Sequence, residues 1–194
     1  MGSIPILILQ HPAEKNRAHG TVPLVLETLP ESTARTGLSW KNLAHALSKA
    51  MAKAGAKDQV LEPRRWGVLF PGTGVKAAAA GASLQGAQGP LVAVNKSGVP
   101  IPSPFADTPP DGLVVLDGSW RDVKAMWWRN PWLLKLQRLV LIPTDVSEYK
   151  HIRRSPRDEQ VSTAEAVALT LRALGLPSEE LEERFKRFLL EARN

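Results

Sequence analysis

The stretch Leu113-Val114-Val115-Leu116-Asp117-Gly118-Ser119-Trp120 ends an apolar run on a carboxylate, a glycine, a hydroxyl and an indole. A short apolar run of this kind reads as a buried strand, so Asp117 stands at a strand's carboxyl end. Gly118 permits a tight turn there, and Ser119 caps a helix over about Trp120–Arg129 that Pro131 ends. In open α/β sheets, ligands bind in the crevice beyond the carboxyl ends of the strands. A carboxylate held there can take a proton or hold a hydroxyl. Asp117 and Ser119 would also serve as a plain helix cap, so this stretch alone leaves both roles open.

Two more stretches carry possible chemistry. Val68-Leu69-Phe70-Pro71-Gly72-Thr73-Gly74 runs a second strand into a glycine-rich loop, whose backbone N–H groups can approach a nucleotide closely. It lacks the Gly-Lys-Ser/Thr of a phosphate-binding loop and the full dinucleotide fingerprint, so a simple turn is the alternative. Arg153-Arg154-Ser155-Pro156-Arg157 leads into Val161-Ser162-Thr163-Ala164-Glu165-Ala166, where Ser162 and Glu165 have the spacing of a capping box. A helix start of this kind suits a carboxylate or phosphate.

From Asp117 to Arg157 there are nine Lys or Arg against four Asp or Glu. Arg121, Lys124, Arg129, Lys150, Arg153, Arg154 and Arg157 can form a basic surface around the Asp117 crevice. Arginine's planar fork matches phosphate, although a solvated basic face would read the same way. Four of the six tryptophans crowd into Trp120–Trp132. Most belong in the core, and Trp120, beside Asp117, is the one placed to stack on a base. His11, His19, His45 and His151 show no metal-ligand spacing, so no metal is expected.

The elements that must position these groups follow from apolar runs and stop signals. Ile4–Leu9, Trp66–Phe70, Leu91–Val94, Leu113–Leu116 and Arg138–Ile142 read as strands. Thr36 is expected to cap a helix from about Trp40 to Ala54, with Leu43, Leu47, Ala50, Met51 and Ala54 on one face and Gly55 as its stop. The four alanines within Thr73–Gly81 suggest a short helix. The capping box opens a helix to about Leu174, stopped by Gly175 and Pro177. A last helix from about Ser178 puts Leu181, Phe185, Phe188 and Leu189 on one face. His11–Gly20, Thr144–Gln160 and the five-proline stretch Ser97–Asp111 read as loops. Strands apolar on both faces, alternating with helices, predict an α/β domain with a mostly parallel sheet and helices on both faces.

With 194 residues and no internal repeat, the sequence predicts a single domain over 1–194. The absence of cysteine excludes disulfides and thiolate chemistry and fits a cytoplasmic location. The net charge of +6 favours anionic partners, nucleic acid foremost. No apolar run approaches the ~20 residues of a membrane span, and Ile4–Leu9 lacks the flanks of a signal peptide.

The three motif stretches, in this order, resemble the DTW-domain family, named for an Asp-x-Thr-Trp motif at a strand's end. That motif reads Asp117-Gly118-Ser119-Trp120 here, with serine in place of threonine. The family's Phe-Pro loop is matched by Leu69-Phe70-Pro71-Gly72. Its Arg followed by a Leu-Ser-Thr-x-Glu-Ala helix start is matched by Arg153 or Arg154 and Val161–Ala166. The N-terminal cysteine cluster that family members often carry is absent.

The resemblance implies tRNA-uridine aminocarboxypropyltransferase activity, with S-adenosylmethionine as donor and methylthioadenosine as by-product. It also implies kinship to the SPOUT enzymes, with a trefoil-knotted sheet. On this reading Asp117, Ser119 and Trp120 are catalytic. Phe70, Pro71, Gly72, Leu116, Ile142, Ser162 and Thr163 hold the donor, and Arg121, Lys124, Arg153, Arg154 and Arg157 bind RNA. The alternatives are aminocarboxypropyl transfer to rRNA, a SPOUT-type RNA methyltransferase, a non-catalytic RNA-binding module, or a small-molecule enzyme whose charge is incidental.

Overall fold

The computed structural model describes residues 3–16, 20–53, 61–69, 91–141 and 162–192. The elements in chain order are β1 (Ile6–Gln10), α1 (Val22–Thr28), β2 (Thr33–Thr36), α2 (Leu43–Lys53), β3 (Trp66–Leu69), β4 (Leu91–Val94), β5 (Pro100–Ile101), β6 (Gly112–Asp117), α3 (Trp120–Arg129), β7 (Gln137–Leu141), α4 (Thr163–Ala173) and α5 (Glu179–Glu191). The helix expected within Thr73–Gly81 and the loop over Thr144–Gln160 lie outside the described residues. So do Phe70, Pro71, Gly72, Ile142, Arg153, Arg154 and Arg157.

The seven strands form one sheet in the order β2-β1-β6-β3-β7-β4-β5. All pairs are parallel except β4 with β7 and β4 with β5. Successive side chains of a strand point to opposite faces, and the sheet uses this to build two cores. Ile6 and Ile8 of β1 and Leu113 and Val115 of β6 pack with α1, α4 and α5. Leu7 and Leu9 of β1 and Val114 of β6 pack with α2, α3 and Trp132. Every residue of β1 is buried, which explains why it reads as an unbroken apolar run. The mostly parallel sheet with helices on both faces is therefore as the sequence predicts.

Four local departures have physical causes. Thr36 does not cap α2; it ends strand β2. The cap is Asn42, whose Oδ1 accepts the His45 N–H at 2.8 Å. Strand β2 (Thr-Ala-Arg-Thr) has no apolar run because it is an edge strand with no fully buried residue. The proline-rich stretch, expected to be loop throughout, contributes the two-residue strand β5 at the opposite edge, where proline's missing N–H is tolerated. Helix α1 was not signalled by the sequence, being only seven residues long with a proline in its first turn.

The second core is tied together by one amide. Asn130, 0% exposed, ends α3. Its Oδ1 accepts from Trp40 N at 2.8 Å and from Trp132 Nε1 at 3.2 Å. Its Nδ2 donates to Leu38 O at 3.0 Å and to Met126 O at 2.7 Å. Next to this region the Arg138 guanidinium lies 5.5 Å from the centre of the Trp127 ring, and burial lowers its pKa from the ordinary value. Among the described residues no helix is long and apolar enough to cross a membrane, and no cluster of three or more His, Asp or Glu is arranged to hold a metal.

Asn130→Ala should strand the Trp40 and Trp132 N–H donors inside the core and release the Leu38 carbonyl. We expect a loss of about 3–5 kcal/mol in urea unfolding. An unchanged midpoint would show that the amide does not join these segments.

Candidate active site

Strands β1 and β6 pair in parallel with Gln10 opposite Asp117, and β1 pairs with β2 so that Gln10 also stands opposite Thr36. The alternation that sends Ile6 and Ile8 to the α1/α4/α5 face sends Gln10 there too, and Leu113 and Val115 carry Asp117 to the same face. Three neighbouring strand ends thus present a polar row, Thr36–Gln10–Asp117. Thr36 Oγ1 donates to Gln10 Oε1 at 3.4 Å, and Gln10 Nε2 donates to Asp117 Oδ2 at 3.0 Å.

The helix that follows β1, α1, lies on one face of the sheet, and the helix that follows β6, α3, lies on the other. Adjacent parallel strands whose following helices diverge in this way open a crevice at their carboxyl ends, where α/β proteins bind ligands. Asp117 and Gln10 occupy that position. Two backbone bonds hold the rim: His11 N to Asp117 O at 2.8 Å and Gly37 N to Gln10 O at 3.0 Å.

Helix α4 completes the arrangement around the carboxylate. Thr163, its first residue, donates Oγ1 to Asp117 Oδ1 at 2.5 Å. Both carboxylate oxygens are therefore held by uncharged donors, each oxygen keeping acceptor capacity to spare. The amino ends of α3 and α4 both approach Asp117, and their partial positive charges favour an anion in the crevice.

The expected capping box is present: Ser162 Oγ accepts the Glu165 N–H at 3.2 Å, and Ser162 N donates to Glu165 Oε2 at 3.4 Å. Ala164 N is also engaged, donating to the buried Thr21 Oγ1 at 3.1 Å. The sequence predicts a helix start suited to a carboxylate. Only the Thr163 N–H of that first turn makes no hydrogen bond among the described residues. Ser162 is buried and engaged in the cap, so Thr163 is the residue of this pair that reaches the crevice.

The Asp117-Gly118-Ser119-Trp120 turn divides its tasks. Ser119 does not touch Asp117. It accepts the Asp122 N–H at 3.3 Å as the cap of α3 and donates its hydroxyl to Asp122 Oδ2 at 2.5 Å. Gly118 sits in a tight space: a Cβ there would lie 3.3 Å from Asp122 Cβ, His11 Cβ and Val123 Cγ2, which would have to yield by a few tenths of an ångström. Its φ is not positive, so the turn makes no use of glycine's left-handed freedom. Trp120 is the half-buried first residue of α3. Leu116 packs toward the opposite core, with α2 and α3. Arg121 and Lys124 are exposed on α3.

Sequence reasoning missed Gln10, the residue that holds the second carboxylate oxygen. The signal was faint: one amide at the end of an apolar strand, in phase with Ile6 and Ile8. It also missed Asp122 and His11, whose carboxylate and Nε2 lie 3.8 Å apart beside the turn. Sequence spacing alone cannot show that residues 10, 117 and 163 meet.

Comparisons with known proteins bear on the family. The DTW domain model matches residues 2–192. Among curated proteins, tRNA-uridine aminocarboxypropyltransferase 2 of Macaca fascicularis is 24% identical over 172 residues, covering 89% of this chain and 48% of the relative. The protein of the same name from Mus musculus is 25% identical over the same coverage. That of Drosophila melanogaster is 29% identical, covering 89% of this chain and 57% of the relative. The chain thus spans about half the length of the curated relatives it matches. No solved structure is a significant match. Matched by the family model along almost its whole length, and carrying the motif's carboxylate at the crevice between β1 and β6, this chain belongs to the DTW-domain family.

Proposed function

We propose that the protein transfers the 3-amino-3-carboxypropyl group of S-adenosylmethionine to a uridine of tRNA, releasing methylthioadenosine, in the cytoplasm. The observation that carries this reading is a carboxylate at a switch-point crevice, held on both oxygens by Gln10 and Thr163, in a member of the DTW-domain family. The names of the curated relatives supply the reaction class. The kinship to SPOUT enzymes and their trefoil knot belong to the same proposal, and the parallel sheet is compatible with them.

The imino nitrogen of uracil is a poor nucleophile while it keeps its proton. Asp117 acts as the general base that removes it, an effect worth about 10²–10⁴-fold. The donor supplies an electrophilic methylene carbon beside its sulfonium. The nitrogen–carbon bond forms as the carbon–sulfur bond breaks, and the proton stays on Asp117 until water removes it. Gln10 and Thr163 keep the carboxylate in one orientation toward the base, and positioning of this kind is a large source of rate. Trp120 stacks on the base or packs the donor's methionine arm. Ser119 acts through the helix: its bonds to Asp122 set the start of α3 and so the place of Trp120.

The donor's carboxylate suits the Thr163 N–H at the amino end of α4. Phe70, Pro71, Gly72, Leu116 and Ile142 complete the donor site in this reading. Arg121, Lys124, Arg153, Arg154 and Arg157 hold the RNA backbone, and no metal takes part.

Asp117→Asn should lower turnover by about 10²–10⁴-fold while donor binding by calorimetry stays near wild type. Nucleoside mass analysis of treated tRNA identifies the group transferred. Turnover equal to wild type would defeat the assignment, and a methylated nucleoside would replace it with methyl transfer.

Gln10→Leu and Thr163→Val each free one carboxylate oxygen. We expect kcat to fall roughly tenfold to a hundredfold, with KM for tRNA little changed. A rise in KM with kcat unchanged would mean that these residues serve binding and not the base.

A further inference from the structure

Trp128 is 72% exposed, although tryptophan is highly buried on average. Its neighbour Trp127 is buried in the second core, so helix α3 turns one indole inward and the next outward. Arg121, Lys124 and Trp128 stand at i, i+3 and i+7, one stripe along the solvent side of α3. Ala125, three residues before Trp128 on the same side, adds little bulk beside the ring. Arg129 and Lys135 are also exposed. None of these four cations forms an ion pair within the described residues. The one acid of α3, Asp122, is engaged with Ser119.

We infer that the outer face of α3 is an RNA-docking surface on which Trp128 stacks an unpaired base while Arg121 and Lys124 hold the adjoining phosphates. An exposed indole set among cations that form no ion pair within the described residues is the combination that binds single-stranded nucleic acid: a sequence-tolerant stacking platform beside backbone charge. The run of cations favours a polyanion over a protein partner, because phosphates neutralise several of them at once. The geometry connects the surface to the crevice. Trp120 and Trp128 are eight residues apart on α3, about 12 Å along its axis, within the reach of a few nucleotides. The inference rests on the proposed function for the identity of the partner and adds how that partner is held.

The test is binding of a labelled single-stranded oligouridylate and of an unmodified tRNA transcript to the full chain, without donor, across a salt series. Trp128→Ala should bind the oligouridylate about tenfold to a hundredfold more weakly with an unchanged salt slope, while Trp128→Phe stays within a few-fold of wild type. The double variant Arg121→Gln, Lys124→Gln should flatten the log–log salt slope by about 0.7 per charge removed. Since the ring lies in water, the unfolding midpoint of Trp128→Ala should match wild type.

Undiminished affinity in Trp128→Ala, or a wild-type chain that holds neither probe, overturns the inference. So does light scattering that shows a wild-type dimer dissociating in Trp128→Ala, since the ring would then be a contact between copies. A wild type that transfers no aminocarboxypropyl group, while Trp128→Ala still loses RNA affinity, would sink the enzymatic reading and leave this surface standing.

Discussion

The parallel pairing of β1 with β6, in the register that sets Gln10 beside Asp117, is the constraint on which the candidate site depends. A slip of one residue would turn Asp117 toward α2 and α3, away from Thr163 and Gln10. The register is enforced far from the site. Ile6, Ile8, Leu113 and Val115 must face one core while Leu7, Leu9 and Val114 face the other, and the slipped pairing would exchange the two sets. Burial of ordinary aliphatic side chains on both faces thus fixes the orientation of the one carboxylate at the strand end.

Around that pairing the chain places its polar groups economically. The first turn of α4 satisfies most of its own N–H groups through the capping box and Thr21, and directs one hydroxyl at Asp117. The first turn of α3 is closed by Ser119 and Asp122. Two helix starts therefore converge on the crevice, and in α4 the capacity for an anion is concentrated at the Thr163 N–H. A site built in this way suits reactions in which orientation matters more than mobility.

Helix α3 links the crevice to the surface. Its amino end sets Trp120 beside Asp117, its inner face buries Met126 and Trp127, and its carboxyl end is anchored by Asn130 to the segment before α2. Because the helix is held at both ends, Arg121, Lys124 and Trp128 keep a fixed relation to the carboxylate. The tryptophan cluster visible in the sequence separates only in the fold: Trp127 and Trp132 are packing, Trp120 is half-buried at the start of α3, and Trp128 faces water.

Much of this was legible in the residues themselves. The apolar runs marked β1, β3, β4, β6 and β7, and Ser119 and the Ser162–Glu165 box marked the starts of α3 and α4, because burial and capping are local requirements that leave local signatures. Asp117 stood out for the same reason, at the end of a buried strand. The edge strands β2 and β5 left no such mark, since an edge need not be apolar, and α1 was too short to show a period. What only the tertiary structure decided is the company Asp117 keeps. Residues 10, 117 and 163 are separated by long stretches of chain, and a hydrogen bond between them depends on strand order, register and the face each helix covers. Those are properties of the whole sheet, and no window of sequence contains them.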